Sequence, residues 1–163
     1  MSYYGSEKSS DQDSKEIKRS HKDVALSAST GGVGPLPIIT TLFADPISVV
    51  STSINVSKFE DPTILLNFTS ILSLPLGISV TLNFQINRSL DDGSSVKVGG
   101  TYTFSSLVEL LESQSFGFQF ADVGVAPGRY TYSIELSTNS IIDITPGLTI
   151  INATLSALAV DED

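Results

Sequence analysis

Carboxylates are the only side chains in this sequence numerous and close enough to suggest catalysis. Glu109 and Glu112 lie three residues apart, and Glu60 adjoins Asp61. Two carboxylates held about 5–10 Å apart across a cleft hydrolyse glycosidic bonds, one as acid and the other as base or nucleophile. Nothing in the spacing builds that cleft, and solvated surface charge accounts for both pairs. Asp91-Asp92-Gly93-Ser94 offers oxygens to Ca²⁺. The ion needs about six to eight, and the EF-hand spacing with its closing Glu is missing. Asp-Gly between two alternating segments is a hairpin turn instead. Gly31-Gly32-Val33-Gly34 has no Lys-Ser/Thr behind it and opens no helix, so it reads as a hinge and not as a phosphate loop.

The rest of the catalytic repertoire is missing. There is no Cys, and the single His is His21. Thiol chemistry, disulfides, His-based triads and His/Cys metal sites are excluded. The sequence therefore gives no catalytic residue, no metal ligand set and no cofactor, and the expectation is a protein that is not an enzyme. With no Trp, a sugar-binding groove would have to stack its ligand on Tyr102, Tyr130 or Tyr132.

Charge is unevenly spread. The first 23 residues hold five basic and five acidic side chains, which cancel. The remainder carries the whole net charge of −9, with only Lys58, Arg88, Lys97 and Arg129 as cations. Such a body has no footprint for nucleic acid and is repelled by an anionic membrane surface. No run of eighteen apolar residues is present, so no membrane insertion is expected. The polar Met1–Asp23 lacks the apolar stretch of a secretion signal.

The elements that must position any site are strands. Candidates are Ile38–Phe43, Ile47–Val56, Thr63–Leu72, Ile78–Asn87, Val96–Phe104, Ser115–Ala121, Arg129–Ser137 and Leu148–Val160, rich in Val, Ile, Thr, Phe and Tyr. Val80, Leu82, Phe84 and Ile86 alternate with polar residues, as do Phe116, Phe118 and Phe120, and Tyr130, Tyr132, Ile134 and Leu136. Such strands are buried on one side only, as in an antiparallel sheet. Asp-Pro, Asp-Gly, Gly-Gly and Pro-Gly pairs punctuate them. Ser105–Glu112 is the one helical candidate, through Leu107, Leu110 and Leu111. Pro127-Gly128-Arg129-Tyr130 is the pattern in which a Tyr closes a sandwich corner with its hydroxyl. Four Asn-x-Ser/Thr acceptor patterns, at Asn55, Asn67, Asn87 and Asn152, fall in strands and fill polar positions of the alternation.

One further segment stands apart. Val24, Leu26 and Ala28 alternate with smaller residues just before Gly31, Gly32 and Gly34. They suit the inserted positions of a donor strand on a flexible hinge, with apolar side chains seated in a neighbour's groove.

Ile64-Leu65-Leu66-Asn67-Phe68, Val80-Thr81-Leu82-Asn83-Phe84, Ser115-Phe116-Gly117-Phe118 and Ile151-Asn152-Ala153-Thr154-Leu155 carry a resemblance. Over Pro62–Val160 the chain resembles a small family of uncharacterised β-rich proteins from endospore-forming Firmicutes. Those relatives carry several Cys near the place of Ala121–Arg129, so a crosslinking role is lost here. In layout the chain is similar to subunits of endospore appendages and other donor-strand fibres, which set a compact sandwich behind a flexible arm.

The expectation is thus an all-β protein, an antiparallel β-sandwich of about eight strands, jelly-roll or Ig-like. It comprises a polar arm over residues 1–23, a donor strand and hinge over 24–35 and a sandwich over 36–163. The resemblance in layout implies a self-assembling subunit of an extracellular or spore-surface fibre, outside the cell without a classical signal peptide. Its partners are copies of itself. The alternative is a non-polymerising surface module that binds a glycan or other ligand.

Overall fold

The computed structural model describes residues 23–36, 46–75, 78–108, 112–137 and 147–161. They hold eight strands: β1 (Val24–Val33), β2 (Ile47–Asn55), β3 (Pro62–Leu74), β4 (Ile78–Leu90), β5 (Ser95–Val108), β6 (Glu112–Asp122), β7 (Arg129–Ser137) and β8 (Thr149–Asp161). The expected strands from Ile47 onward each fall on one of these. Ile38–Phe43 and the arm up to Lys22 lie outside the described residues. The helix expected over Ser105–Glu112 is not there. Ser105–Val108 continues β5, paired with β4, and Glu112 opens β6. Gly99-Gly100 is likewise no turn. It is a bulge within β5, where the register shifts opposite Gln85 and Ile86 and Gly99 takes a φ of +69° open to glycine.

The strands pair antiparallel in two sheets, ordered β1-β8-β3-β6 and β2-β7-β4-β5. Only the β4–β5 hairpin keeps the chain in one sheet; every other connection crosses to the other. In an immunoglobulin sandwich the first two strands share a sheet. Here β1 and β2 lie in opposite sheets, which is the double Greek key of a jelly roll.

Period-two alternation decides the core. Val80, Leu82, Phe84 and Ile86 of β4 are fully buried, and Tyr130, Tyr132, Ile134 and Leu136 of β7 are buried beside them. Ile64, Leu66, Phe68 and Leu72 of β3 and Ile150, Leu155, Ala157 and Ala159 of β8 meet them from the other sheet. The Tyr130 hydroxyl donates to the Ala126 carbonyl at 2.6 Å, closing the corner before β7.

Phe116, Phe118 and Phe120 turn inward and are half-buried, because β6 is an edge strand. Phe118 lies between Phe68, ring centroids 5.1 Å apart, and Tyr102, stacked at 3.7 Å. Phe118→Ala should cost about 2–4 kcal/mol, at the lower end for Phe truncation because the ring is not fully enclosed. Urea unfolding checks this, and a loss below about 1 kcal/mol would place the stripe outside the core.

β1 is a strand of the sandwich itself. It pairs with β8 from Val24↔Val160 to Gly31↔Ala153, with Gly31 and Gly32 inside it and Gly34 just beyond. The face expected to insert, Val24, Leu26 and Ala28, points away from the other sheet; Val24 is 63% and Leu26 71% exposed. The inward row is Ala25, Ser27, Ser29 and Gly31. The reason is the close approach of β2. Ser27 and Ser29 reach the buried Thr52 hydroxyl at 3.0 and 3.2 Å, and a Cβ on Gly31 would stand 2.5 Å from the Val49 carbonyl oxygen. Only small side chains fit, so the larger apolar row faces out.

Candidate functional site

Glu60 and Asp61 lie in the β2–β3 connection. The backbone N–H groups of Glu60 and Asp61 donate to the Asp161 carboxylate at 2.8–3.1 Å, pinning the β2–β3 connection to the end of β8. Glu112 accepts from the Gln114 amide at 2.6 Å, and Glu109 lies outside the described residues. Asp91 and Asp92 make the β4–β5 turn. The Leu90 N–H donates to the Ser94 carbonyl, and Asp92 Oδ1 accepts the Ser94 N–H at 2.8 Å. Hydrogen bonds from Ser94, side chain first, hold the Asp92 carboxyl below its ordinary range. Among the described residues no three His, Cys, Asp or Glu converge on a possible metal site.

A charged cluster lies between the sheets, and residues 34 positions apart form it. Arg88 on β4 donates through Nη1 to both Asp122 oxygens, at 3.1 and 2.9 Å. Tyr132 on β7, fully buried, donates its hydroxyl to Asp122 Oδ2 at 2.8 Å. Burial, and then the neighbouring carboxylate, push the Tyr132 phenol far above its ordinary range. The Arg88 guanidinium also lies 5.6 Å from the Tyr130 ring centre. β6 belongs to one sheet and β4 and β7 to the other, so the cluster fastens the sheets together.

The surface is more informative. The outer face of the β2-β7-β4-β5 sheet is a ladder of hydroxyls and amides. Thr101 bonds Gln85, Thr103 bonds Asn83, and Asn87 bonds Glu135. No aromatic ring stands out from it. Tyr130 and Tyr132 are buried, and Tyr102 stacks inward on Phe118, so the rings expected to serve a sugar are spent on the core. The outer face of the β1-β8-β3-β6 sheet differs. Leu26, Leu158, Leu65 and Ala121 are register neighbours across all four strands and make one apolar row, with Val24 and Val160 beside it. Among the described residues no charged side chain points outward from this sheet. An open groove of about 390 Å³ runs along Gly31–Gly34 and Thr149–Asn152, where β1 leaves β8.

β1 is held mainly by its backbone ladder and little by apolar side chains. It supplies no fully buried hydrophobic side chain; only Ala25 and Val33 touch the core, both partly exposed. The assembly residues read from the sequence, Val24, Leu26 and Ala28, and the glycines Gly31, Gly32 and Gly34, are all gathered on it or at its end. What sequence reasoning missed was the Leu65 and Leu158 part of the outer row. Its signal, apolar residues on the polar phase of an alternating strand, is present in both.

A model of the family described as "Domain of unknown function (DUF4489)" matches residues 24–160. The chain belongs to this family. The match starts on the first residue of β1 and ends within β8, so the family domain is the sandwich with β1 included. No curated protein matches the chain. Solved structures similar to it include that of infectious bursal disease virus Gx strain, at 10% identity and a TM-score of 0.45 over 86% of this chain and 32% of that one. Another is the CBM22-1 xylan-binding domain from Paenibacillus barcinonensis Xyn10C, at 10% identity and 0.36 over 87% of each chain. A third is the enzymatically active domain of Bacteriophage CBA120 tailspike protein 4, at 13% identity and 0.33 over 83% and 19%. The chain spans about a third of the length of the first of these. No helix among the described residues is long and apolar enough to cross a membrane.

Proposed function

We propose that this protein is a structural, self-assembling subunit of an extracellular or spore-surface fibre, joined by addition of its N-terminal strand to the next subunit. The observation that carries the reading is the seating of β1. It makes a full backbone ladder with β8 yet gives the interior little more than hydroxyls and small side chains. A strand held in this way can leave its own β8 and pair with the β8 of a neighbour. The backbone bonds lost in one molecule are regained in the other, and little apolar burial is forfeited meanwhile. The contact is head-to-tail and does not close on itself, so it propagates.

The partner is therefore another copy of this chain. Neither reaction nor cofactor is needed; the Asp92 and Asp161 carboxylates serve a turn and a connection.

Deleting Met1–Val33 tests the reading. The shortened chain should retain β-structure by circular dichroism and form no fibres by electron microscopy under conditions in which the full chain does. A synthetic Val24–Val33 peptide should bind it at one to one and protect the β8 edge. If the shortened chain polymerises like the full one, β1 is not the connector.

A further inference from the structure

The outer face of the β1-β8-β3-β6 sheet carries no charged side chain among the described residues of this acidic body. The row Leu26–Leu158–Leu65–Ala121 crosses it, flanked by Val24↔Val160 at one end, with Ser, Thr, Asn and Gln over the middle. The other sheet's outer face carries Lys97, Arg129 and Glu135 instead. We infer that this uncharged face docks on the same face of a second copy, in an isologous pair distinct from the strand-addition contact.

Three observations select a second copy as the occupant. The first is charge. The net charge of −9 on each chain makes two copies repel almost everywhere, and this is the face on which they meet without juxtaposing like charges. The second is area. Four strands about 4.8 Å apart, each roughly 40 Å long, present on the order of 700 Å². A stable pair buries about 800 Å² on each partner. The third concerns the chain's own remainder. Residues 1–22 carry nine charged side chains against a single large aliphatic, Ile17, a composition ill matched to an uncharged face. A two-fold axis near Leu65 would lay the apolar row of one copy on that of the other and set polar rows against polar rows, as in sheet-on-sheet packing.

The inference does not rest on strand addition, and the experiment separates the two. Sedimentation equilibrium on the soluble, unpolymerised full chain should show a monomer–dimer equilibrium that tightens as NaCl rises from about 20 to 300 mM. The interface has no ion pair to screen, whereas the repulsion between the two acidic bodies is screened. Leu65→Asp should weaken the dimer at least 100-fold, and Asn67→Arg at least 10-fold. Thr101→Asp, on the other sheet's outer face, should leave it within twofold. Circular dichroism should show all three folded. Because Leu65 lies on β3, Leu65→Asp should leave β1-dependent fibres in place. A wild-type chain that stays monomeric to about 100 μM would overturn the inference. So would a dimer that weakens with salt, or one that Leu65→Asp leaves intact.

Discussion

Replacing Asp122 with alanine should lower the free energy of unfolding by about 2–4 kcal/mol, less than for a fully buried charged pair because the Arg88 side chain is 23% exposed. Asp122 is 7% exposed, and its two oxygens receive Arg88 Nη1 and the Tyr132 hydroxyl. Without the carboxylate, the guanidinium is left between the sheets with no anion beside it. Its buried Nε has no hydrogen-bond partner even in the intact protein. The Tyr132 hydroxyl, in a residue with no exposed surface, would lose its acceptor as well. Tyr132→Phe removes one bond to a charged acceptor and should cost less, about 1.5–3 kcal/mol. Combining Arg88→Met with Asp122→Leu should recover much of the loss of Asp122→Ala, since no charge then remains buried. Urea unfolding with an unchanged m-value measures all three. An Asp122→Ala loss below about 1 kcal/mol would mean that water or another group replaces the carboxylate and that the cluster does not fasten the sheets.

That cluster could not be read from the sequence, and the reason is topological. Arg88 follows Ile86 on the inward phase of one strand, opposite Tyr132, and Asp122 ends another that belongs to the opposite sheet. Only the jelly-roll crossing brings them together, and no local pattern encodes strand order. The strands themselves were legible because burial on one face writes a period of two, plainest at Val80–Ile86 and Tyr130–Leu136. The corner at Tyr130 was legible because a Pro-Gly turn and a phenol at fixed offset suffice to build it. The Ser105–Glu112 region misled because three Leu at helical spacing outweighed a β-rich surrounding, whereas pairing with β4 holds the segment extended. β1 was seen as a strand, but its phase was inverted. The usual rule buries the larger apolar row; here the approach of β2 leaves room only for Ala25, Ser27, Ser29 and Gly31. The same inversion puts Leu26 on the outside, and it joins Leu65 and Leu158 only once the register is known.

Gly31→Val should therefore expel β1 from the sandwich while sparing the rest. A side chain at Gly31 meets the Val49 carbonyl oxygen at 2.5 Å and the Val50 Cβ at 3.1 Å, and a β2 backbone bonded to β7 cannot yield. Overpacking of this kind costs about 1–3 kcal/mol, and β1 has no large buried side chain with which to resist it. Hydrogen exchange should show the amides of Val24–Val33 losing protection at least 100-fold, with β3, β4 and β7 little changed. If β1 is the connector, fibres should vanish too, because a neighbour's groove is bounded by the same Val49 carbonyl. Ala28→Val provides the contrast: it adds two methyl groups on the outward face of the same strand and should leave both protection and fibres intact. Leu26→Asp, also outward, should keep β1 seated and fibres growing while weakening the face-to-face pair. A Gly31→Val chain that keeps its β1 protection would show that β1 does not lie against β2 as described. One that loses this protection but still makes fibres would detach assembly from β1 altogether.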